Sequence, residues 1–155
     1  MDNFYKSESG ELLVNPILKN HVGLTEIAKD QFDKIIADRN KPTTDQLLQQ
    51  LTQARKEQET QGVTINGIRY AGDPGNRQTL QEAITYIEDA GLAEFPSWKD
   101  SDGVFHQNNP LADVKDAARA IGARRSQLIA AEGEYAAQII AGILTDLTET
   151  EVVWP

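Results

Sequence analysis

Two acidic residues that flank a serine and precede a glycine form the stretch of the chain that most resembles a chemical site. Asp100, Asp102 and Gly103 have the spacing that opens a calcium-binding loop, in which several oxygen ligands converge on a hard cation. The later ligands are missing, because Phe105 and His106 occupy the following positions and no bidentate glutamate stands at the required distance. The sequence therefore favours a tight turn without a metal ion.

Few other side chains are placed for catalysis. The two histidines, His21 and His106, are far apart in the sequence, and no motif links them. Two carboxylate pairs stand in polar stretches, where no burial would raise a carboxyl pKa for acid–base chemistry: Glu57 with Glu59, and Glu149 with Glu151. The chain contains no cysteine, and it lacks the nucleophile-elbow, phosphate-loop, dinucleotide and zinc-protease motifs. We therefore expect no enzymatic activity, no metal ion and no cofactor.

The excess of acidic residues argues against two classes of partner. Among 155 residues, 24 are acidic and 15 basic, and the formal net charge of -9 would repel nucleic-acid phosphates and anionic lipids. The basic cluster Arg119, Arg124 and Arg125 lies in a helical stretch and is typical of a solvated face. No run approaches the roughly 20 apolar residues of a membrane span, and no leader peptide is evident. We expect a soluble cytoplasmic protein that binds neither nucleic acid nor membrane.

The first 42 residues predict a small hairpin followed by a helix. Residues 3–7 and 11–14 carry strand-forming side chains on either side of Glu8-Ser9-Gly10, which can reverse the chain. Thr25 is placed to cap a helix over residues 26–38. This part of the chain is expected to form an N-terminal hairpin and helix module.

A second helix is expected to connect that module to the rest of the chain. Thr43 or Thr44 can cap it, and Gln46 stands where a capping box needs it. After Ala54 the sequence is polar on every side, which indicates a solvated spacer helix or a linker. The domain boundary is therefore expected near residues 55–62.

Two hairpins are indicated in the second half of the chain. The stretch VTINGIRY alternates apolar and polar residues around Asn66-Gly67, the dipeptide that best tolerates a type I′ turn. Residues 77–90 have apolar side chains at helical spacing and end at Gly91. A second hairpin is expected around the Asp100–Gly103 turn, with Pro96 indicating an edge strand.

The last helix is expected to be long. Asn109 and Pro110 are the preferred cap and first residue of a helix, and its apolar stripe continues to about Leu147. A helix of about 35 residues would span about 50 Å, whereas a compact globule of this size is roughly 40 Å across. Either the helix breaks near Gly122 or Gly133, or another chain covers its overhanging stripe. The second alternative predicts a homo-oligomer through this helix.

The same stripe and the last residues of the chain are the candidate partner-binding surface. Val152, Val153 and Trp154 form an apolar segment that could add to a partner's sheet edge or fill a pocket. The alternatives are that this segment folds back on its own domain and that the stripe is an intramolecular core. The candidate partner-binding residues are Leu128, Tyr135, Ile139, Val152, Val153 and Trp154.

These elements together predict an α+β fold. It would comprise an N-terminal hairpin and helix module over residues 1–42 and a polar connecting helix or linker over residues 43–61. Residues 62–155 would form a domain of short antiparallel hairpins packed with helices, which ends in the long helix.

The order of these motifs resembles a bacteriophage domain that recurs on tail and tail-fibre assembly proteins. The strand and turn of that domain correspond here to Gly62, Val63, Ile65 and Gly67. Its polar helix start corresponds to Arg77 and Gln78, and its hairpin before the last helix corresponds to Trp98, Lys99, Asp102 and Gly103. The opening NFYKSESGELLV and the helix entry GLTEI are also similar to the N-terminal part of tail-fibre assembly proteins.

The resemblance implies a protein of a phage or prophage tail. We expect a non-enzymatic assembly chaperone that binds the tail-fibre protein in the cytoplasm of the host bacterium and covers its apolar surface and strand edges. The alternative is a structural tail, baseplate or fibre-cap component that is retained in the virion. The motifs are structural, so they do not decide between the two.

Overall fold

A computed structural model describes residues 2–14, 23–147 and 152–155 of the chain. The chain divides into two compact units, Met1–Pro42 and Thr43–Pro155. The α+β class predicted from the sequence is confirmed. The elements are β1 (Phe4–Ser7), β2 (Leu12–Val14), β3 (Leu24–Ile27), α1 (Lys29–Asn40), α2 (Thr44–Gln61), β4 (Val63–Ile65), β5 (Ile68–Tyr70), α3 (Pro74–Asp89), β6 (Glu94–Lys99), β7 (Phe105–Pro110) and α4 (Leu111–Ile140).

The first unit is a three-stranded antiparallel sheet with one helix. The strand order is β2-β1-β3, and the predicted hairpin between β1 and β2 is confirmed. Helix α1 packs on β1 through Phe32, whose ring centroid lies 4.8 Å from that of Phe4. Because no described residue of this unit is fully buried, its core is small.

The predicted helix cap at Thr25 is wrong. Thr25 lies in β3, where it pairs with Lys6 of β1. A residue held in a strand ladder is extended, and its backbone groups serve the sheet. Helix α1 therefore begins only at Lys29, after Ala28, which provides no side-chain cap.

Helix α2 begins where the sequence indicates. The Thr43 hydroxyl accepts a hydrogen bond from the Gln46 backbone N–H at 3.2 Å, and the Gln46 side chain accepts one from the Thr43 N–H at 2.8 Å. This reciprocal pair is a capping box, which satisfies two backbone donors at the start of a helix. The predicted capping box is confirmed.

Residues 43–61, expected to be a connecting helix or linker, belong to the second unit. Leu47 and Leu51 are buried against α4, and the polar second half of α2 stays helical to Gln61. Ion pairs from Arg55 to Glu132 of α4 and from Glu59 to Arg77 of α3 join that half to the rest of the unit. The boundary therefore lies at residue 43 and not near residue 62.

Both predicted hairpins of the second unit are confirmed. In the turn between β4 and β5, Asn66 and Gly67 have φ values of 49° and 83°, as a type I′ turn requires. Strands β6 and β7 pair around the Asp100–Gly103 turn, with Trp98 opposite His106.

The predicted helix cap at Asn109 is also wrong. Asn109 is the fifth residue of β7, where it pairs with Phe95 and is 1% exposed. Its side-chain amide donates a hydrogen bond of 3.0 Å to the hydroxyl of Tyr70. This buried pair occupies the side chain, so α4 begins after Pro110 without a side-chain cap.

Helix α4 is an unbroken helix of 30 residues. Gly122 and Gly133 lie inside it without interrupting it, and it ends at Ile140, earlier than the predicted Leu147. Gly142 has a φ of +70°, and the N–H groups of Gly142 and Ile143 bond to the carbonyls of Ile139 and Gln138 at 3.0 and 2.9 Å. This is a Schellman motif, in which a left-handed glycine terminates the helix.

The chain itself covers the apolar stripe of α4, so neither a break nor a second chain is needed. Two core clusters lie along the helix. In the first, Val114 and Ile121 pack with residues of α3 and both hairpins. In the second, Ile139 packs with Leu47 and Leu51 of α2. Helix α2 therefore runs antiparallel along the C-terminal half of α4.

Gly62, which follows α2, lies so close to other backbone that a side chain would not fit. A Cβ atom at this position would lie 1.9 Å from the carbonyl oxygen of Tyr70. The φ of +68° adds a conformation that other residues rarely adopt.

Replacing Gly62 with alanine should lower the free energy of unfolding by roughly 3 kcal/mol, because both the clash and the positive φ oppose the new side chain. The matched control is Gly133→Ala, where an added Cβ meets nothing within 4 Å and helix propensity should raise stability by about 0.5–1 kcal/mol. Urea unfolding followed by circular dichroism measures both changes. Equal effects of the two substitutions would contradict the close approach.

Candidate functional site

The turn that resembles a calcium loop is built around the carboxylate of Asp100. One oxygen accepts the backbone N–H groups of Asp102 and Val104 at 2.9 and 2.8 Å, and the other lies 2.8 Å from Nε2 of His106. Gly103 supplies the positive φ, +85°, that the turn needs. The Asp100 oxygens therefore serve the hairpin. Among residues 2–14, 23–147 and 152–155, no group of three or more acidic or histidine side chains could hold a metal ion.

These contacts favour the ionised form of Asp100. The hydrogen bond from His106 holds the pKa of the Asp100 carboxyl below its usual value, and the backbone N–H groups of Val104 and Asp102 lower it further. Within the described part of the chain, His106 contacts the carboxylate of Asp100 and pairs with no other acidic side chain.

Arg69 fastens the first hairpin to this turn. Its Nε donates to a carboxylate oxygen of Asp102 at 2.8 Å, and its terminal nitrogen donates to the carbonyl of Ser101 at 3.1 Å. The backbone N–H of Ala71 donates to the Ser101 hydroxyl at 2.7 Å. The bond to Asp102 raises the pKa of the Arg69 guanidinium. We refer to these hydrogen bonds of Arg69 and Ser101 as the latch. The latch holds β5 against the end of β6.

A pocket of about 190 Å³ opens beside this latch, between β5, α3 and β6. Its apolar wall comprises Tyr70, Leu80 and Trp98, while hydroxyl, amide and charged side chains form the rest of the lining. Helix α3 supplies Asn76 and Thr79, and β6 supplies Ser97 and Lys99. We refer to it as the latch pocket.

Buried aromatic contacts hold the apolar wall in place. The Trp98 ring lies 5.7 Å from that of Tyr70 and 4.9 Å from that of Phe95, measured between centroids. Tyr70 is bonded to the buried amide of Asn109, and burial raises the pKa of the Tyr70 hydroxyl. The sequence pattern predicts that Trp98 lies in a hairpin but gives no signal of the pocket, because the pocket lining comes from three separate elements.

Asp73 caps the N-terminus of α3, the helix that supplies Asn76 and Thr79 to the pocket lining. The Asp73 carboxylate accepts the N–H groups of Gly75 and Asn76 at 3.0 and 3.2 Å. Hydrogen bonds from the Asn76 side chain and from these N–H groups lower the pKa of Asp73. The cap orients the first turn of α3, which carries Asn76 and precedes Thr79.

The expectation that Glu57 and Glu59 are both exposed is wrong for Glu59. Its side chain is 6% exposed and lies between three arginines: Arg55, bonded directly, and Arg77 and Arg125, at 3.2 and 3.4 Å. Glu57 is exposed, whereas Glu149 and Glu151 lie outside the described residues, as does His21. The buried carboxylate is fully paired, as a buried charge needs to be.

The arginine cluster of α4 is therefore only partly a solvated face. Arg119 is 74% exposed and pairs with Asp116. Arg125 reaches Glu59, and Arg124 donates to the carbonyl of Pro155 at 2.8 Å and to Gln58 at 3.2 Å. Two of the three arginines thus fix α4 to other parts of its unit.

Three of the six candidate partner-binding residues are buried in the protein. Leu128 is 0% exposed and Ile139 is 3% exposed, so both belong to the core. Val152 is also buried, and the Tyr135 hydroxyl bonds to both the N–H and the carbonyl of Val153, at 2.9 and 3.0 Å.

Residues 152–155 thus fold back on their own domain, which is one of the alternatives that the sequence left open. Trp154 is half-buried, with its ring centroid 6.0 Å from that of Tyr135. Val153 alone among the six candidates remains largely exposed, at 70%.

A second heptad pattern lies on the opposite side of α4. After the exposed charged pair Asp116 and Arg119, this side carries small residues and one isoleucine at intervals of three and four: Ala123, Ser126, Ala130, Gly133, Ala137 and Ile140. Ile140 is 70% exposed, and Ile143, after the helix, is 75% exposed. We refer to this surface as the outer face. The sequence contains its spacing, but only the structure shows which of the two stripes is buried.

None of the helices in the described ranges is long and apolar enough to cross a membrane. The ionisable side chains that this geometry brings together are Asp100 with His106, Arg69 with Asp102, and Glu59 with its arginines.

Residues 42–153 match the model of a domain of unknown function, DUF4376, and the chain belongs to this family. The match covers almost all of the second unit. No curated protein matches the chain. No solved structure matches it.

The Asp100 turn should weaken in acid. Contacts in the folded state lower the pKa of Asp100. Its contribution to the free energy of unfolding is therefore fully present above the ordinary pKa of 3.8 and is lost as the pH falls through the lower pKa of the folded state. Asp100→Asn should therefore flatten the acid limb of the stability curve, measured as urea midpoints at decreasing pH. Asp89→Asn, at an exposed acid of α3, is the control. An acid limb as steep as that of the unmodified protein would contradict the assignment.

Removing the charge of Glu59 should be costly. Glu59→Gln leaves three arginines close together with one carboxylate fewer, and we expect a loss of about 3 kcal/mol in the free energy of unfolding. Glu57→Gln, two residues earlier on the exposed side of α2, should change stability by less than about 0.5 kcal/mol. Chemical denaturation measures both. A Glu59 variant as stable as the Glu57 control would show that the cluster contributes nothing.

Proposed function

We propose that the protein is a non-enzymatic assembly chaperone that binds a phage tail-fibre protein. The motif resemblance noted in the sequence supports the phage assignment. The outer face of α4 is the observation that supports binding, because it leaves large apolar side chains in water next to small ones. Such a surface allows another helix or strand to approach closely.

The strongest part of the outer face is its C-terminal end. Ile140 and Ile143 follow one another at a spacing of three and are both about three-quarters exposed. A chain with a formal net charge of -9 stays soluble while exposing them. The acidic remainder of the surface would also keep a bound, immature fibre in solution.

Short strands provide a second way to engage a fibre. The sheets of the described residues have two or three strands each, so each leaves edges whose N–H and carbonyl groups can pair with an added strand. A fibre that has not yet formed its trimer exposes such edges. Covering them would suppress aggregation until the trimer closes.

This function places the protein in the cytoplasm of the infected bacterium during assembly. Its direct test is expression of the cognate fibre with and without this protein. We expect more soluble fibre trimer when both are present. Equal yields would refute the chaperone role, and a stoichiometric band at 17.1 kDa in purified virions would instead favour a retained tail component.

The outer face can be tested with a matched pair of variants. Ile140→Glu combined with Ile143→Glu should weaken fibre binding at least about tenfold, because two exposed apolar contacts become charged. Tyr86→Glu alters a residue of α3 that is 68% exposed but lies outside the outer face, and should leave binding unchanged. Pull-down titrations measure binding, and melting temperatures confirm folding. Equal loss in both variants, or in neither, would rule out this face.

A further inference from the structure

We propose that a pocket between α2, α3 and α4 binds a phosphate-type oxyanion. The pocket has a volume of about 250 Å³, which is small for an organic ligand and large enough for a tetrahedral anion. Four of the side chains that line it are cationic and one is a carboxylate: Arg55, Lys56, Arg77 and Arg125, with Glu59. We refer to it as the arginine pocket. The inference does not depend on the proposed chaperone function.

Positive charge exceeds negative charge in the arginine pocket even when the neighbouring acids are counted. Glu132 of α4 lies outside the lining and pairs with Arg55 at 2.6 Å. Asp73, which precedes the lining residue Pro74, caps the N-terminus of α3. With Glu59 and these two acids, four cations stand against three carboxylates, on a chain whose formal net charge is -9. A local excess of the minority sign of charge favours an anion.

The single carboxylate in the lining does not neutralise the arginines around it. Arg77 and Arg125 approach Glu59 at 3.2 and 3.4 Å, and Arg55 is bonded to it directly. Guanidinium groups that share one carboxylate repel one another, because their charges are alike and lie a few ångströms apart. A second anion among them would relieve that repulsion.

The cationic side chains keep hydrogen-bond donors for such an anion. Within the described part of the chain, Arg125 donates no hydrogen bond and Lys56 makes no ion pair. Arg77 donates only through one terminal nitrogen, Nη1, to Glu59 and to the carbonyl of Gly72. A guanidinium presents its donors in a planar fork that matches the oxygens of a phosphate group. Three helices therefore each contribute a cation with unused donors to one pocket.

The test is a titration of the full chain with sodium phosphate at neutral pH, with the ionic strength held constant by sodium chloride, followed in nitrogen–proton correlation spectra. We expect saturable shifts of the backbone signals of Lys56, Arg77 and Arg125, with half-saturation near about 1 mM. Sodium acetate should bind about tenfold more weakly, because a monovalent anion has less charge to offer the cations.

Paired variants assign the binding to the pocket. Lys56→Gln combined with Arg125→Gln should reduce the affinity for phosphate at least about tenfold, because two cations are removed. Lys34→Gln combined with Arg119→Gln removes the same charge from exposed positions outside the pocket and should leave the affinity unchanged. Glu59→Gln should act in the opposite direction and tighten phosphate binding, because it removes the competing carboxylate. Melting temperatures without phosphate confirm that the variants fold.

A phosphorylated ligand distinguishes the source of the oxyanion. Tighter binding of N-acetyl-phosphoserine amide than of inorganic phosphate supports a phosphorylated protein, and the reverse order supports the free ion. Equal affinities for phosphate and acetate, the absence of saturable shifts at the three pocket residues, or an equal effect of the two double variants would overturn the inference.

Discussion

The carboxylate of Glu59 connects three helices of the second unit that are far apart in the sequence. It lies among Arg55 of its own helix, Arg77 of α3 and Arg125 of α4. Just beyond it, the backbone of Gly62 and Gly72 approaches so closely that neither position has room for a side chain. Because a buried charge needs partners, the observed placement of α2, α3 and α4 is one in which this carboxylate meets all three arginines.

That placement determines which side of α4 faces water. Once α2 lies antiparallel along it, Leu128 and Ile139 enter the core, and the last residues close over the same region through Tyr135. The opposite stripe, which ends at Ile140, is left exposed. A single helix thus buries one stripe in the core of the domain and leaves the opposite stripe in water, and the two stripes use different heptad positions.

The two hairpins and the latch pocket form the other specialised region. Arg69 and Ser101 connect the hairpins through side-chain and backbone hydrogen bonds, and these bonds hold β5 beside the turn after β6. Asp100, the residue most suggestive of chemistry, organises the turn that carries Ser101 and Asp102.

The sequence by itself determined the features that depend on neighbouring residues. These include the capping box at Thr43, the type I′ turn at Asn66-Gly67 and the hairpin around Asp100, because each depends on interactions within a few positions. Only the tertiary structure decided that Asn109 is a buried strand residue, that Glu59 is enclosed by arginines and that the outer stripe of α4 is the exposed one. Those outcomes depend on contacts between segments that are far apart in the chain. Both stripes of α4 have heptad spacing, and packing against the other elements decides which stripe is buried.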